Sequence, residues 1–370
     1  MTARGREPFG VGIVGAGVIG QVHAAALGSV PGARLVAVAD VVPEAARALA
    51  ATHGVEAADS LDELLARPDV EVVILATPSG LHPDQAVAAA GAGRHIITEK
   101  PMAIDLAGID RMTGAAREAG VHLAVIFQTR FQPDVLRLKR AIAAGLFGRP
   151  VAGNAIVHWH RSQAYYDASG GWRGTRALDG GGALMNQSIH TIDLLQWVLG
   201  PVERVSAETA TLAHEMETED TATAALRFRN GALGTIQGTT AAASDRPVRL
   251  EIVGTTGRAV LEGGSLTAWE PERDVAAEDL LDDADRAMVA GWAPGEPMGA
   301  GHARQLGHIV AALGRGEVPP VPGHEARAAV EIILAIYESA RTGRRVQLGG
   351  PATTGATAHA GTVPGEGRPS

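Results

Sequence analysis

The chain has 370 residues, 46% of them hydrophobic and 20% charged, enough for a sizeable core and, at this length, for two domains. A net charge of −9 argues against a nucleic-acid partner, and the absence of cysteine excludes disulfides, thiolate metal sites and cysteine nucleophiles. Residues 1–10 lack the apolar core of a signal peptide and no apolar run is long enough to span a membrane, so a cytoplasmic protein with no membrane partner is expected.

Val11 to Val14 reads as a short buried strand. Gly15-Ala16-Gly17-Val18-Ile19-Gly20 follows, then a helix through Gln21 to Ser29, then a second strand, Leu35 to Ala39, closed by Asp40. The acid stands 20 residues after the last glycine. This order is a dinucleotide-binding pattern: Gly15 for the turn, Gly17 for approach of a pyrophosphate, Gly20 for close helix packing. The helix N-terminus offers free N–H groups and partial positive charge to the pyrophosphate. Asp40 is expected to accept from both ribose hydroxyls and to repel a 2′-phosphate, so NAD is favoured over NADP. A glycine turn that binds some other phosphate is the plainer alternative.

Further strands are read at Val70 to Ala76, His95 to Thr98 and Leu123 to Phe127, with helices at Pro43 to His53, Pro83 to Ala92 and Leu106 to Ala119 between them. Such alternation means a doubly wound parallel sheet, and ligands collect at the carboxyl ends of its strands. Thr77, Lys100 and Gln128 fall just past strand ends. The pattern changes after residue 128. Pro133 to Ala144 is helical, Pro150 to Arg161 alternates as a strand, and a glycine-rich loop from Ser169 to Gly182 carries Trp172, Arg173, Arg176 and Asp179. One helix is read from Ala183 to Leu199. Thr221 to Phe228 and Leu233 to Thr240 flank Asn230-Gly231, and Arg249 to Val253 and Arg258 to Glu262 flank a second turn, so two hairpins and a largely antiparallel sheet are predicted. Helices at His302 to Leu313 and Glu325 to Thr342 close the chain. The domain reading is 1–128 for the Rossmann domain, 129–350 for an α/β substrate and oligomerisation domain, and 351–370 for a disordered tail.

Lys100 sits between Glu99 and Pro101, where an ammonium would stabilise alkoxide charge. A surface lysine paired with Glu99 is the equal alternative. If Ala183 to Leu199 is helical, Asn186, His190 and Asp193 share one face. His190 is the best general base in the chain, since its ordinary pKa lies near neutrality. A core histidine bonded to a backbone carbonyl is the alternative. His158 and His160 share a strand face but no carboxylates cluster there, so no metal is expected. Glu215, Glu217, Glu219 and Asp220 read as a solvated turn. Arg161, Trp172 and Arg173 suit a sugar, by guanidinium donors and an indole face, and suit structural roles equally.

These marks together resemble the glucose–fructose oxidoreductase / inositol dehydrogenase (Gfo/Idh/MocA) family. They are the glycine motif, Thr77-Pro78 with His82, Glu99-Lys100-Pro101, and Gly180-Gly181-Gly182 running into Asn186, His190 and Asp193, within a match from about residue 9 to 348. The resemblance implies a Rossmann domain, a C-terminal α+β domain with a large, mostly antiparallel open sheet that forms homodimers or homotetramers, and hydride transfer between NAD and a sugar, anhydrosugar or cyclitol. The implied cofactor contacts are Gly15, Gly17, Val18, Ile19, Gly20, Asp40, Thr77, Pro78, His82, Glu99, Lys100 and Gln128. Substrate would meet Arg161, Trp172, Arg173, Asn186, His190 and Asp193. Many members carry aspartate where this chain has Asn186, which is neither base nor charge. That leaves the proton work to His190, as base, and Lys100, holding the oxygen, with Asp193 orienting His190. The Asn-Gln pair is similar to that of certain levoglucosan and nucleotide-sugar dehydrogenases. Two other readings stand beside this one: an NAD-retaining, redox-assisted glycoside hydrolase, and a non-catalytic NAD-binding regulator.

Overall fold

The computed structural model describes residues 7–168, 170–293 and 295–349, and the tail assigned to 351–370 lies outside them. The first sheet has six strands: β1 Phe9–Val14, β2 Ala33–Ala39, β3 Glu56–Ala58, β4 Val72–Leu75, β5 His95–Thr98 and β6 Leu123–Val125. Their order is β3-β2-β1-β4-β5-β6, every neighbouring pair parallel. The three-residue β3 had no sequence signal, because two alanines beside a glutamate carry no strand period.

Side chains of successive strand residues enter opposite faces. Val73, Leu75 and Ile96 join one apolar cluster, and Val72, Ile74 and Ile97 join the other. Burying each such side chain contributes about 1.5–3 kcal/mol, which is why these strands read as continuous apolar runs. One departure from the division at residue 128 is the helix Met298–Gly314. Its Leu306, Ile309, Val310 and Leu313 pack with Phe9, Val11 and Ile13, so the far end of the chain completes the first domain. The same helix closes the open edge at β6. Gln305 accepts from the Phe127 N–H at 3.0 Å and donates to the Val125 carbonyl at 2.8 Å, pairing groups a sheet edge leaves bare.

The second sheet has eight strands: β7 Pro150–His158, β8 Val202–Ala210, β9 Thr221–Phe228, β10 Leu233–Thr239, β11 Arg249–Gly254, β12 Arg258–Glu262, β13 Ser265–Glu270 and β14 Val346–Gln347. Both expected hairpins form, β9 with β10 and β11 with β12. The parallel pairing of β7 with β10 joins them into one sheet. In β9, Ala222, Ala224, Leu226 and Phe228 face inward, toward the helices Ile189–Leu199 and Gly323–Thr342, while Thr223 and Ala225 face out. No described helix is long and apolar enough to cross a membrane.

The one helix predicted from Ala183 to Leu199 is two. Ala183–Ser188 is a π-helix, and an α-helix runs from Ile189–Leu199. The wider turn alters which side chains share a face at the junction.

Candidate active site

The glycine turn has the shape its residues demand. Gly15 has φ 103°, and a Cβ there would stand 2.5 Å from the Ala76 carbonyl oxygen. A Cβ at Gly20 would strike the Gly15 carbonyl. Around the Gly17 Cβ position nothing lies within 4 Å, so the backbone there faces open space. The helix Val18–Leu27 has no side-chain cap and no acid in its first turn, which leaves its leading N–H groups for an anion. Val18 is 67% exposed despite being apolar, and Ile19 is half-buried behind it. Asp40 accepts from the Ala16 N–H at 2.6 Å and the Val42 N–H at 2.8 Å, fixing its carboxylate over the turn. These residues fit a dinucleotide.

Two residues expected at the cofactor brace the loops around the turn. His82 is fully buried, with Nε2 2.9 Å from the Thr77 carbonyl and Nδ1 3.0 Å from the Pro101 carbonyl. It ties the loop after β4 to the loop after β5, and burial pushes its pKa down. Thr77 also gives its hydroxyl to Gln85 at 2.6 Å, and Pro78 starts the short turn Ser79–Leu81. Glu99 is buried against two histidines, His23 at 2.7 Å and His302 at 3.6 Å. Burial opposes its charge, yet the two imidazoles hold its carboxyl well below the usual range. His23, Glu99 and His302 are the one close group of three such donors among the described residues. The 2.7 Å contact is a hydrogen bond, since two ligands at about 2.0–2.1 Å from a tetrahedral zinc stand farther apart than that.

Lys100 is not a surface lysine. It is one of only two in the chain, with Lys139, among 32 Lys and Arg. Its peptide to Pro101 is cis. Its Nζ donates to the Asn186 carbonyl at 2.9 Å, and burial lowers its pKa against the pull of Glu99 and Asp179. His190 follows one turn after Asn186. Its ring meets Phe127 edge-on at 5.7 Å, and burial, with Lys100 nearby, pushes its pKa down to about 3. No backbone carbonyl satisfies it: Nδ1 is buried without a hydrogen-bond partner among the described residues. Gln128 Oε1 is in the same position. Such orphaned groups are costly unless a ligand meets them.

Asp193 does not join this cluster. Its carboxylate is fully buried and takes two bonds from Arg130, at 2.7 and 2.6 Å, while Arg130 also reaches Glu325 at 2.8 Å. A charge that deep needs a partner, and Arg130 is its ion-pair partner among the described residues.

Asn186 turns instead to Asp179, donating Nδ2 to its carboxylate at 2.6 Å. Gln187 Nε2 donates to Asn186 Oδ1 at 3.1 Å and to the Tyr165 hydroxyl at 2.9 Å. Arg161 donates to Gln187 Oε1 at 3.2 Å and lies 4.9 Å over the Trp159 ring. Arg173 lies 4.4 Å over Tyr165 and 5.1 Å over Trp172. The structure thus joins Arg161, Trp172, Arg173 and Asn186 in one wall, with Tyr165 and Gln187 as members that spacing did not reveal.

The solvated turn expected at Glu215 to Asp220 is half wrong, since Glu219 and Asp220 are buried. Glu219 accepts from the Gly182 N–H at 3.1 Å, the Leu184 N–H at 2.8 Å and the Tyr337 hydroxyl at 2.9 Å. It holds the start of the π-helix, and a Cβ at Gly182 would strike the Glu219 carbonyl.

Residues 9–127 match the oxidoreductase family with an NAD-binding Rossmann fold, and residues 135–260 match the GFO/IDH/MocA C-terminal domain. The WlbA dehydrogenase of Bordetella pertussis, solved with NADH and UDP-GlcNAcA, is 37% identical with a TM-score of 0.85, covering 94% of this chain and 99% of that one. The myo-inositol 2-dehydrogenase of Thermotoga maritima is 29% identical over 91% of this chain and 98% of its own length. The levoglucosan dehydrogenase of Pseudarthrobacter phenanthrenivorans is 28% identical over 92% and 94%. Two domain matches in the right order, on a glycine turn and a lysine bonded to the backbone one turn before a histidine, leave one conclusion: the chain belongs to the GFO/IDH/MocA family of NAD-binding oxidoreductases.

Proposed function

We propose that this enzyme oxidises a secondary hydroxyl of a pyranose carried on a nucleotide and bearing an acidic group. The observation that carries the reaction is the Lys100 amine, bonded to the Asn186 carbonyl one turn before the half-buried His190, whose Nδ1 has no hydrogen-bond partner among the described residues. Bound NAD⁺ supplies the hydride acceptor. Gly17 and the uncapped helix end would hold its pyrophosphate, and Asp40 its ribose.

The hydroxyl proton goes to Lys100 in its neutral amine form, which becomes the ammonium as the hydride leaves the same carbon. The sequence points to His190 as the acceptor, but an imidazole whose pKa desolvation drives down to about 3 is a poor acceptor at neutral pH. A half-buried lysine whose pKa desolvation lowers is suited to the task. His190 stays neutral and holds the substrate oxygen by a hydrogen bond. Asn186 and Gln187 fix the ring from the side.

The substrate class rests on the wall of Arg161, Arg173 and their aromatic partners, which suits an anionic sugar, and on the likeness to WlbA, solved with UDP-GlcNAcA. The test is NADH formation with nucleotide-linked sugar acids, free pyranoses, anhydrosugars and inositols, each with NAD⁺ and NADP⁺. Turnover with the nucleotide-linked acids and NAD⁺ is expected. Turnover with inositols or anhydrosugars alone would overturn the substrate class. Free sugar released without net NADH would replace the dehydrogenase with a hydrolase, and NAD binding without any turnover would favour the regulator. The outward face of the second sheet, with Thr223, Ala225, Thr235 and Gln237 exposed, is where a second copy would dock. A monomer by light scattering would remove that reading.

A further inference from the structure

Position 186 is Asn where the family resemblance implies an aspartate, yet a carboxylate lies against it. Asp179 is 1% exposed and lies at the end of the glycine-rich loop. One of its oxygens accepts from the Gly174 N–H at 2.8 Å, and the other from Asn186 Nδ2 at 2.6 Å, seven residues on. The backbone carbonyl of that same Asn186 receives the Lys100 ammonium at 2.9 Å. Asn186 is therefore a bridge, with its amide on the acid and its carbonyl on the amine.

We propose that Asp179 is a positioning residue for Lys100, supplying from another place in the chain the negative charge that Asn186 cannot carry. This rests on Lys100 as the proton acceptor. The groups facing Lys100 are Glu99, Asp179, Arg173 and His190. Glu99 is already committed to two histidines and to the Lys100 N–H at 3.1 Å. Arg173 opposes the ammonium. Asp179 is thus a second anion, after Glu99, whose charge sets how readily Lys100 binds a proton, and it is the one joined to Lys100 through Asn186. Its own pKa is pushed up to about 6 by burial, against the Gly174 N–H, the Asn186 amide, Lys100 and Arg173, so it is mostly ionised at neutral pH. Tyr166 and Tyr337 also face it, and both stay protonated there, their pKa values raised by burial.

A loop-anchoring role would explain the Gly174 contact alone. The two are separated by exchanging the residues. In Asp179→Asn with Asn186→Asp, an amide at 179 donates to a carboxylate at 186 and still accepts from Gly174. The bond between 179 and 186 reverses its direction, the Gly174 and Gln187 bonds keep theirs, and only the charge moves.

With two lysines in the chain, lysine carrying a carbon isotope at Cε gives two signals, and Lys139→Arg assigns them. The pH titration of the Lys100 signal then reads its pKa without substrate. In Asp179→Asn we expect that pKa to fall by about one unit, the effect of removing a nearby opposite charge. In the exchanged pair it returns to the wild-type value, and the low-pH limb of kcat/KM follows it. A Lys100 titration unchanged in Asp179→Asn would overturn the proposal. So would an exchanged pair that folds and binds NAD yet leaves Lys100 shifted, and this second variant decides the matter if the first fails to fold. Failure of the dehydrogenase reading shows separately, as a wild-type protein that forms no NADH while its Lys100 titration still answers to Asp179.

Discussion

Arg130 and Asp193 meet through two hydrogen bonds of 2.7 and 2.6 Å, with both side chains almost wholly shielded from water. Asp193 shares a helix with His190, but its carboxylate looks away from the active site, to a guanidinium that also stacks 5.0 Å over Trp197.

Removing Arg130 would leave the Asp193 charge buried without its ion-pair partner, and removing Asp193 takes two of the three carboxylate bonds from a guanidinium that then keeps Glu325 alone. Asp193→Ala should therefore destabilise the protein by about 3–5 kcal/mol. Denaturant unfolding measures this. The low-pH limb of kcat/KM should stay where it is in whatever protein folds, and a moved limb would return Asp193 to the catalytic group.

Lys100→Met should lower kcat by about a hundredfold to ten-thousandfold, the range for loss of a general base, with NAD binding intact by fluorescence titration. His190→Asn keeps a hydrogen-bonding side chain and should cost about tenfold, the loss of one hydrogen bond to the substrate. Its pH profile is the decisive readout. If the low-pH limb survives in His190→Asn, Lys100 is the acceptor, and if it vanishes, the base is His190.

Asp40→Ala should raise the KM for NAD⁺ about tenfold, since a charge-assisted acceptor to ribose is lost. The preference for NAD⁺ over NADP⁺ should narrow at the same time. Because Asp40 also holds the Ala16 and Val42 N–H groups, the thermal midpoint should fall as well. An unchanged cofactor ratio would place the ribose elsewhere.

Stability should fall in acid, and His190 should be one cause. Its pKa goes from the ordinary 6.5 in the unfolded chain to about 3 in the folded one. Between those values the unfolded state binds a proton that the folded state refuses, so stability drops as pH falls from 6.5. His82, lowered by burial too, acts in the same direction. In His190→Asn the loss between pH 6.5 and about 3 should be shallower, as read by denaturant midpoints across that window. A slope equal to wild type would mean that the ring is already charged in the folded protein.

Local pattern was enough for the nucleotide-binding half. A strand buried on both faces is a short apolar run, a tight turn needs glycine, and an acid after the second strand falls where the turn can reach it. Each of these is set by residues close in sequence, and Gly15, Gly20 and Asp40 stand where their neighbours required. The hairpin at Asn230-Gly231 was readable for the same reason, since its register follows from two turn residues.

The partners of the charged groups were another matter. Glu99 meets His23 across 76 residues and His302 from the last third of the chain, Arg130 meets Asp193 across 63, and Lys100 meets Asn186 across 86. Spacing along a helix suggested that Asn186, His190 and Asp193 work together. The π-helix and the burial of Arg130 sent them to three different neighbours. A buried polar group takes whichever partner the packing brings within about 3 Å, because leaving it unpaired is costly. The amino-acid order names the groups that need partners, and the close packing of the two sheets and their helices chooses them.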